Sequence, residues 1–195
     1  MRVFVVLAHP RTDSLNAALL QELVAGLREA GHEPDVADLY ADGFDPRLSA
    51  QELQPLGEVR SAPDAQAYQA RLLAARGFAF LFPVWWFGPP AIFKGFVDRV
   101  FAEHVAFRFG ENGEVLGLLP RVKALVINTA GATAKQYEAA GFDAPLRQTL
   151  DRWTLGFCGV REVHHVILHG AAEADETTRV GWLAEARRLG REHFK

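Results

Sequence analysis

Three short segments carry residue types suited to holding a ligand. The first is His9-Pro10-Arg11-Thr12-Asp13-Ser14-Leu15-Asn16, which reads as the polar opening of a helix. Unsatisfied N–H groups at a helix start carry partial positive charge and attract phosphate. Ser14, Leu15 and Asn16 would present those groups, Ser14 and Asn16 would add side-chain hydrogen bonds, and His9 or Arg11 would add a cation. The competing reading is that Asp13 or Ser14 only caps the helix. The second segment is Pro83-Val84-Trp85-Trp86-Phe87-Gly88. Large aromatics in a loop form the wall of a site for a flat conjugated ligand, or else fold onto the core or cap a subunit interface. The third is Asn128-Thr129-Ala130-Gly131, where small residues let the backbone approach a ligand and Asn128 and Thr129 can bond its carbonyls and ring nitrogens. Its plain alternative is a strand-to-helix turn. The chain lacks the Gly-x-Gly-x-x-Gly fingerprint and the Gly-rich loop with Lys-Ser/Thr at the first segment, so nucleotide-triphosphate chemistry is not expected.

These segments need elements to position them. Val3–Leu7 and Phe78–Phe82 are short apolar runs, the profile of strands buried on both faces. Val122–Asn128 and Val160–Leu168 read as further strands, and the more polar Asp35–Leu39 as one nearer a sheet edge. Leu15, Leu19, Leu20, Leu23, Val24 and Leu27 recur at helical spacing, with Gly31 as the stop. Helices are also predicted over Ala65–Arg76, Pro90–Phe101, Leu146–Leu155 and Thr177–Phe194. Gly43 to Pro63 reads as a long, weakly structured connection. Between Ala106 and Leu118, aromatic and aliphatic residues flank Glu111-Asn112-Gly113, and Asn-Gly signals a hairpin. Strands alternating with helices imply an α/β fold with a doubly wound parallel sheet. Five strands favour the flavodoxin-like order 2-1-3-4-5, with helices on both faces, an inserted hairpin, and one domain over residues 1–195. In such a sheet ligands bind beyond the carboxyl ends of the strands, where all three segments fall. A phosphate cradle, an aromatic wall and close backbone amides together fit a flavin.

Bulk composition narrows the classes. The chain has 195 residues, 49% apolar and 23% charged, as expected of a soluble globular protein. A formal net charge of −3 gives no case for nucleic acid or anionic membrane. The apolar run at the N-terminus is too short for a signal peptide, and no run approaches a membrane span. The lone cysteine, Cys158, excludes an intramolecular disulfide, and the expected location is the cytoplasm.

A family comes into view from combined motifs: Ala8-His9-Pro10 with Ser14-Leu15-Asn16, Asp38-Leu39-Tyr40, Phe44-Asp45-Pro46, Phe82 to Ala91 continuing to Lys94-Gly95 and Asp98-Arg99-Val100-Phe101, then Thr129-Ala130-Gly131 and Gly156-Phe157-Cys158-Gly159. Over nearly its whole length the chain resembles the flavodoxin-like NAD(P)H:quinone oxidoreductases of the DT-diaphorase type, and their shorter bacterial members. The resemblance implies a tightly bound flavin, FMN or FAD, and a ping-pong two-electron reduction with NAD(P)H as donor and a quinone as acceptor; nitroaromatic and azo compounds are alternative acceptors. It implies that His9, Ser14, Leu15 and Asn16 hold the phosphate and ribityl chain. It runs Pro83, Val84, Trp85, Trp86 and Phe87 along the isoalloxazine, and sets Thr129, Ala130 and Gly131, with Asn128 preceding them, at its polar edge. It also implies a homodimer, with the hairpin and loop aromatics near a partner.

Departures from the family pattern matter. Asn128-Thr129-Ala130-Gly131 stands where many members have Thr-Thr-Gly-Gly. Tyr137 lies near a catalytic tyrosine position with one residue inserted before it, and Asp143 falls where the mammalian enzymes have a histidine. A carboxylate there would disfavour an anionic reduced flavin. The segment between the second strand and second helix is shorter than in the mammalian enzymes, which leaves FMN level with FAD or slightly ahead. Two rival functions belong to other classes: a flavin-carrying ancillary subunit of a membrane potassium-efflux system, and an electron-transfer flavodoxin. The remaining tempting residues have plainer readings. His164, His165 and His169 do not form a zinc pattern, since adjacent strand residues point to opposite faces. Cys158 reads as a packed thiol, and Arg187, Arg188 and Arg191 as a solvated helix face. Asp98 and Arg99 would pair within their helix or across a dimer interface.

Overall fold

Strand β1 (Arg2–Leu7) shows how the sequence builds the sheet. Val3, Phe4, Val5 and Val6 are wholly inaccessible to solvent, so the strand is covered on both faces. Alternate residues feed two separate cores. Phe4, Val6 and Ala8 join one, and Val3, Val5 and Leu7 the other. The same sorting holds in β3 (Gly77–Pro83), where Phe78, Phe80 and Phe82 face the first core and Ala79 and Leu81 the second. The structure is a computed structural model that describes residues 1–53 and 61–195.

The main sheet is parallel and five-stranded, in the order β2-β1-β3-β6-β7, with β2 at Glu33–Asp38, β6 at Lys123–Ala130 and β7 at Glu162–His169. Counted over the main sheet alone, this is the predicted 2-1-3-4-5. The half-exposed β2 forms one edge, as its polarity implied. The short antiparallel pair β4 (Phe107–Phe109) and β5 (Val115–Gly117) confirms the hairpin.

Helices α1 (Leu15–Glu29) and α6 (Glu176–Glu192) cover one face, and Leu19, Leu23 and Leu27 pack with Ala186 and Leu189 beneath them. The two helices meet backbone to backbone. A Cβ added at Gly26 would lie 2.0 Å from the Arg187 carbonyl oxygen, and one at Gly190 would lie 2.5 Å from that of Leu23. Helices α2 (Pro63–Ala74) and α3 (Ala91–Val100) cover the other face, sending Tyr68, Leu72, Phe93, Phe96 and Val100 into an aromatic-rich core.

Two regions differ from the sequence reading. A helix α4 (Ala134–Ala140) follows β6, where none was predicted. Thr133 caps it, and Gln136 bonds back to the Thr133 N–H, a reciprocal capping box. The predicted helix over Leu146–Leu155 instead begins as α5 (Asp143–Arg147) and widens into π-type turns over Gln148–Leu155. The Gly156 N–H there reaches back to the Asp151 carbonyl. Of the connection predicted over Gly43–Pro63, residues 54–60 lie outside the described residues. Arg99 holds what flanks them. Its buried guanidinium donates to Glu52 at 3.0 Å, to both carboxylate oxygens of Asp64 at 2.8 Å, and to the Asp45 carbonyl. Asp98 pairs with Lys94 one turn away, so Asp98 and Arg99 serve separate partners.

Candidate functional site

All three segments lie at the carboxyl edge of the sheet, and the structure brings them together. Asn16 Nδ2 on α1 donates to Thr129 Oγ1 at the end of β6, 2.9 Å away and buried. The Val84 N–H donates to the Thr129 carbonyl at 2.8 Å, and the His9 and Trp85 rings lie 6.2 Å apart.

At the first segment Ser14 is the helix cap, its hydroxyl oxygen accepting from the Ala17 N–H at 3.1 Å. Capping does not use up the helix start, because the N–H groups of Leu15 and Asn16 still have no partner within the helix. Asp13 does not cap. Its carboxylate takes two bonds from Arg11, at 2.9 Å each, in an exposed pair. Arg11 is therefore not a free cation but one half of a screened ion pair. His9 is not a cation at neutral pH either, since burial holds its ring below the ordinary histidine value. Its Nδ1 accepts from the Arg11 N–H at 3.1 Å, which places the ring proton on Nε2 as a donor. Asn16 is almost fully buried, and its Oδ1 has no protein partner. A groove of about 490 Å³ opens from this cradle, lined by His9, Ser14, Leu15, Ala18, Arg179 and Leu183 among others.

The second segment is a tight hairpin. The N–H and carbonyl groups of Trp85 and Gly88 bond each other, at 2.9 and 3.1 Å. Trp86 and Phe87, at its apex, both have positive φ, 49° and 61°. That conformation is easy for Asn-Gly and costly for bulky aromatics, of order 1 kcal/mol or more each. Trp86 stands 95% exposed, whereas Phe87 rests on Phe142, ring centroids 4.0 Å apart. Strain and exposed apolar surface thus coincide in one turn.

At the third segment the side chains diverge. Thr129 faces Asn16, but the Asn128 side chain is wholly buried on the opposite face. Its Nδ2 donates to the Phe82 carbonyl at 3.1 Å and its Oδ1 lies 2.6 Å from His165 Nε2. Asn128 thus has no side-chain atom left for a ligand, a correction to its predicted binding role. Strand alternation forces this: if Thr129 faces α1, Asn128 cannot.

Tyr137 and Asp143 do come together, around a residue the sequence reading set aside. His169 Nε2 is 3.0 Å from Asp143 Oδ1, and the His169 ring meets Tyr137 edge-on with centroids 4.9 Å apart. Burial, helped by Asp143, pushes the Tyr137 hydroxyl above its ordinary value, so it stays a protonated donor. His169 is in register with Ala130 on the neighbouring strand, a proximity that no sequence spacing reveals. Among the described residues no cluster of metal-ligating side chains occurs, and Cys158 is buried, its thiol pushed up to about 12.

Comparison with known proteins agrees with the fold. A family model described as a flavodoxin-like fold matches residues 1–189. A protein of Haemophilus influenzae named as an uncharacterized NAD(P)H oxidoreductase is 30% identical over 180 residues, covering 92% of this chain and 89% of that one. The ribosyldihydronicotinamide dehydrogenase [quinone] of Homo sapiens is 31% identical over 209 residues, covering 94% and 87%. Among solved structures, an NAD(P)H:quinone oxidoreductase from Methanothermobacter marburgensis superposes with a TM-score of 0.87 at 32% identity, over 99% of this chain and 98% of that one.

Proposed function

The chain belongs to the flavodoxin-like fold family, and from that premise we propose that it is a flavin-dependent NAD(P)H:quinone oxidoreductase. The observation that carries this reading is the strained Trp86-Phe87 turn set beside the α1 cradle. When bound, the flavin would accept a hydride from NAD(P)H and pass it to a quinone at the same face.

The residues fit such a group. The Leu15 and Asn16 N–H groups and the His9 Nε2–H would hold a phosphate, and the unpartnered Asn16 amide oxygen would accept from a ribityl hydroxyl. Pro83 to Phe87 would lie along the ring system, with the backbone of Thr129, Ala130 and Gly131 at its polar edge. Tyr137, backed by His169 and Asp143, would hold a proton at its hydroxyl beside that edge. The cradle continues into the groove walled by Leu183 and by Arg179, which forms no ion pair among the described residues. That extension favours FAD over FMN, because it gives a second phosphate and an adenine somewhere to lie.

A homodimer belongs to the same reading. Trp153 and Phe157 are exposed large hydrophobics lining one shallow cavity with Phe107 and Val97, and the exposed Phe109 ring neighbours Phe107, a surface suited to a second copy. No helix among the described residues is long and apolar enough to cross a membrane. The cytoplasm is the proposed location.

The visible spectrum of the purified protein tests the proposal, followed by turnover of NADH and NADPH with menadione. A yellow protein bleached by NAD(P)H and reoxidised by the quinone is expected, and the flavin released on denaturation should be FAD. A protein that takes up neither flavin overturns the reading.

A further inference from the structure

Beneath the aromatic hairpin, three polar side chains form a line that runs inward from the partly exposed Asp151 to the buried His165 and Asn128. Asp151, on the π-type segment, sets its two carboxylate oxygens 2.8 and 3.1 Å from His165 Nδ1 on β7. His165 Nε2 lies 2.6 Å from Asn128 Oδ1 on β6, and Asn128 Nδ2 donates to the Phe82 carbonyl at 3.1 Å. The His165 side chain is 1% exposed. Polar groups this deep require satisfied bonds.

The donors can be counted along the line. A backbone carbonyl only accepts, so the Asn128 atom facing Phe82 is the NH₂ group, and its oxygen must face His165. That oxygen also only accepts, so Nε2 carries a hydrogen. Flipping the Asn128 amide would set its oxygen against the Phe82 carbonyl and gain nothing. Every other charged group near the ring fits this count. Arg147 Nη1 donates to the His165 carbonyl at 2.6 Å rather than to the ring. His164, its ring neighbour His193, and Glu185 belong to the opposite face of β7.

We propose that His165, its ring anchored at Nδ1 by Asp151, donates from Nε2 to the Asn128 oxygen and thereby locks the Asn128 amide onto the Phe82 carbonyl. The locked peptide is Phe82–Pro83, the root of the aromatic hairpin. Pro83 has no N–H to donate to a neighbouring strand, so this junction lacks one ordinary ladder bond. The Asn128 bond fastens it from the side. His165 is therefore a positioning residue for the hairpin; only its consequence for the cofactor rests on the flavin reading.

Nuclear magnetic resonance of ligand-free, ¹⁵N-histidine-labelled protein tests this directly. The Nε2–H of His165 should be visible and slow to exchange. Asn128→Asp keeps an acceptor for that hydrogen but cannot donate to Phe82. The Nε2–H should persist while exchange of the Val84 N–H, which bonds Thr129 across the same junction, quickens about tenfold. No hydrogen on His165 Nε2 in the unmodified protein, or unchanged Val84 exchange in Asn128→Asp, overturns the proposal. Flavin affinity of Asn128→Asp should fall about tenfold on the same grounds. A parent protein that takes up no flavin would overturn the proposed function while leaving the resonance result standing.

Discussion

Asn16 and Thr129, 113 residues apart, share one buried hydrogen bond of 2.9 Å that ties the start of α1 to the end of β6. Thr129→Val keeps the shape but leaves the Asn16 NH₂ group unpaired, a cost of about 1–3 kcal/mol. Urea unfolding should show that loss, and Thr129→Ser should restore it. Flavin affinity should follow stability, because the same bond fixes the cradle against the polar edge.

Trp86 pays a backbone penalty with no internal contact to justify it. Trp86→Asn places a residue suited to positive φ at the apex, and the ligand-free protein should gain roughly 0.5–1 kcal/mol in urea unfolding. Flavin retention or turnover should weaken in the same variant. A variant that lost stability and kept full activity would show that Trp86 only packs.

Arg99→Met should be far more damaging, destabilising by about 3–5 kcal/mol, because it strands the buried Glu52 carboxylate. The hydrogen bond from Arg99 holds Asp64 below the ordinary carboxylate range. The sign follows from linkage: that stabilisation is fully present above about pH 3.9 and is lost as pH falls through the lower folded value. Acid titration of the parent should show the extra step, discounted for the half-exposed Asp64, and Arg99→Met should lack it.

His9 gives a dependence in a different range. Burial lowers its pKa, so the unfolded chain binds the proton more readily. Stability should fall as pH drops below 6.5 toward the lower folded value. His32 and His193 are shifted the same way, so the His9 share is the difference between the parent and His9→Gln. If the two unfolding curves keep a constant separation between pH 7 and 5, His9 carries no such linkage.

The strands and the ends of α1 were legible because each depends on local pattern: the Phe78–Phe82 run needs only its own residues and Pro83 to announce a buried strand. The α4 helix was not read from sequence: the Thr133 and Gln136 spacing of a capping box was its one local signal, and the short, weakly apolar Ala134–Ala140 hid it. Side-chain partnerships were not. His165 and His169 looked alike in sequence. One lies beneath Asn128 and the other beside Ala130, and only the pairing of β6 with β7 separates them. The π-type widening that brings Asp151 to His165 leaves no mark in residue spacing.

The backbone contact at Gly26 and Gly190 has a consequence for how the chain is made. Arg187 and Glu29, salt-bridged beside that contact, are 158 residues apart. At ribosomal speeds of about 5–20 residues per second, α1 therefore waits on the order of ten seconds for α6. During synthesis its leucine face has no native partner helix, and nascent-chain chaperones have that interval in which to bind it.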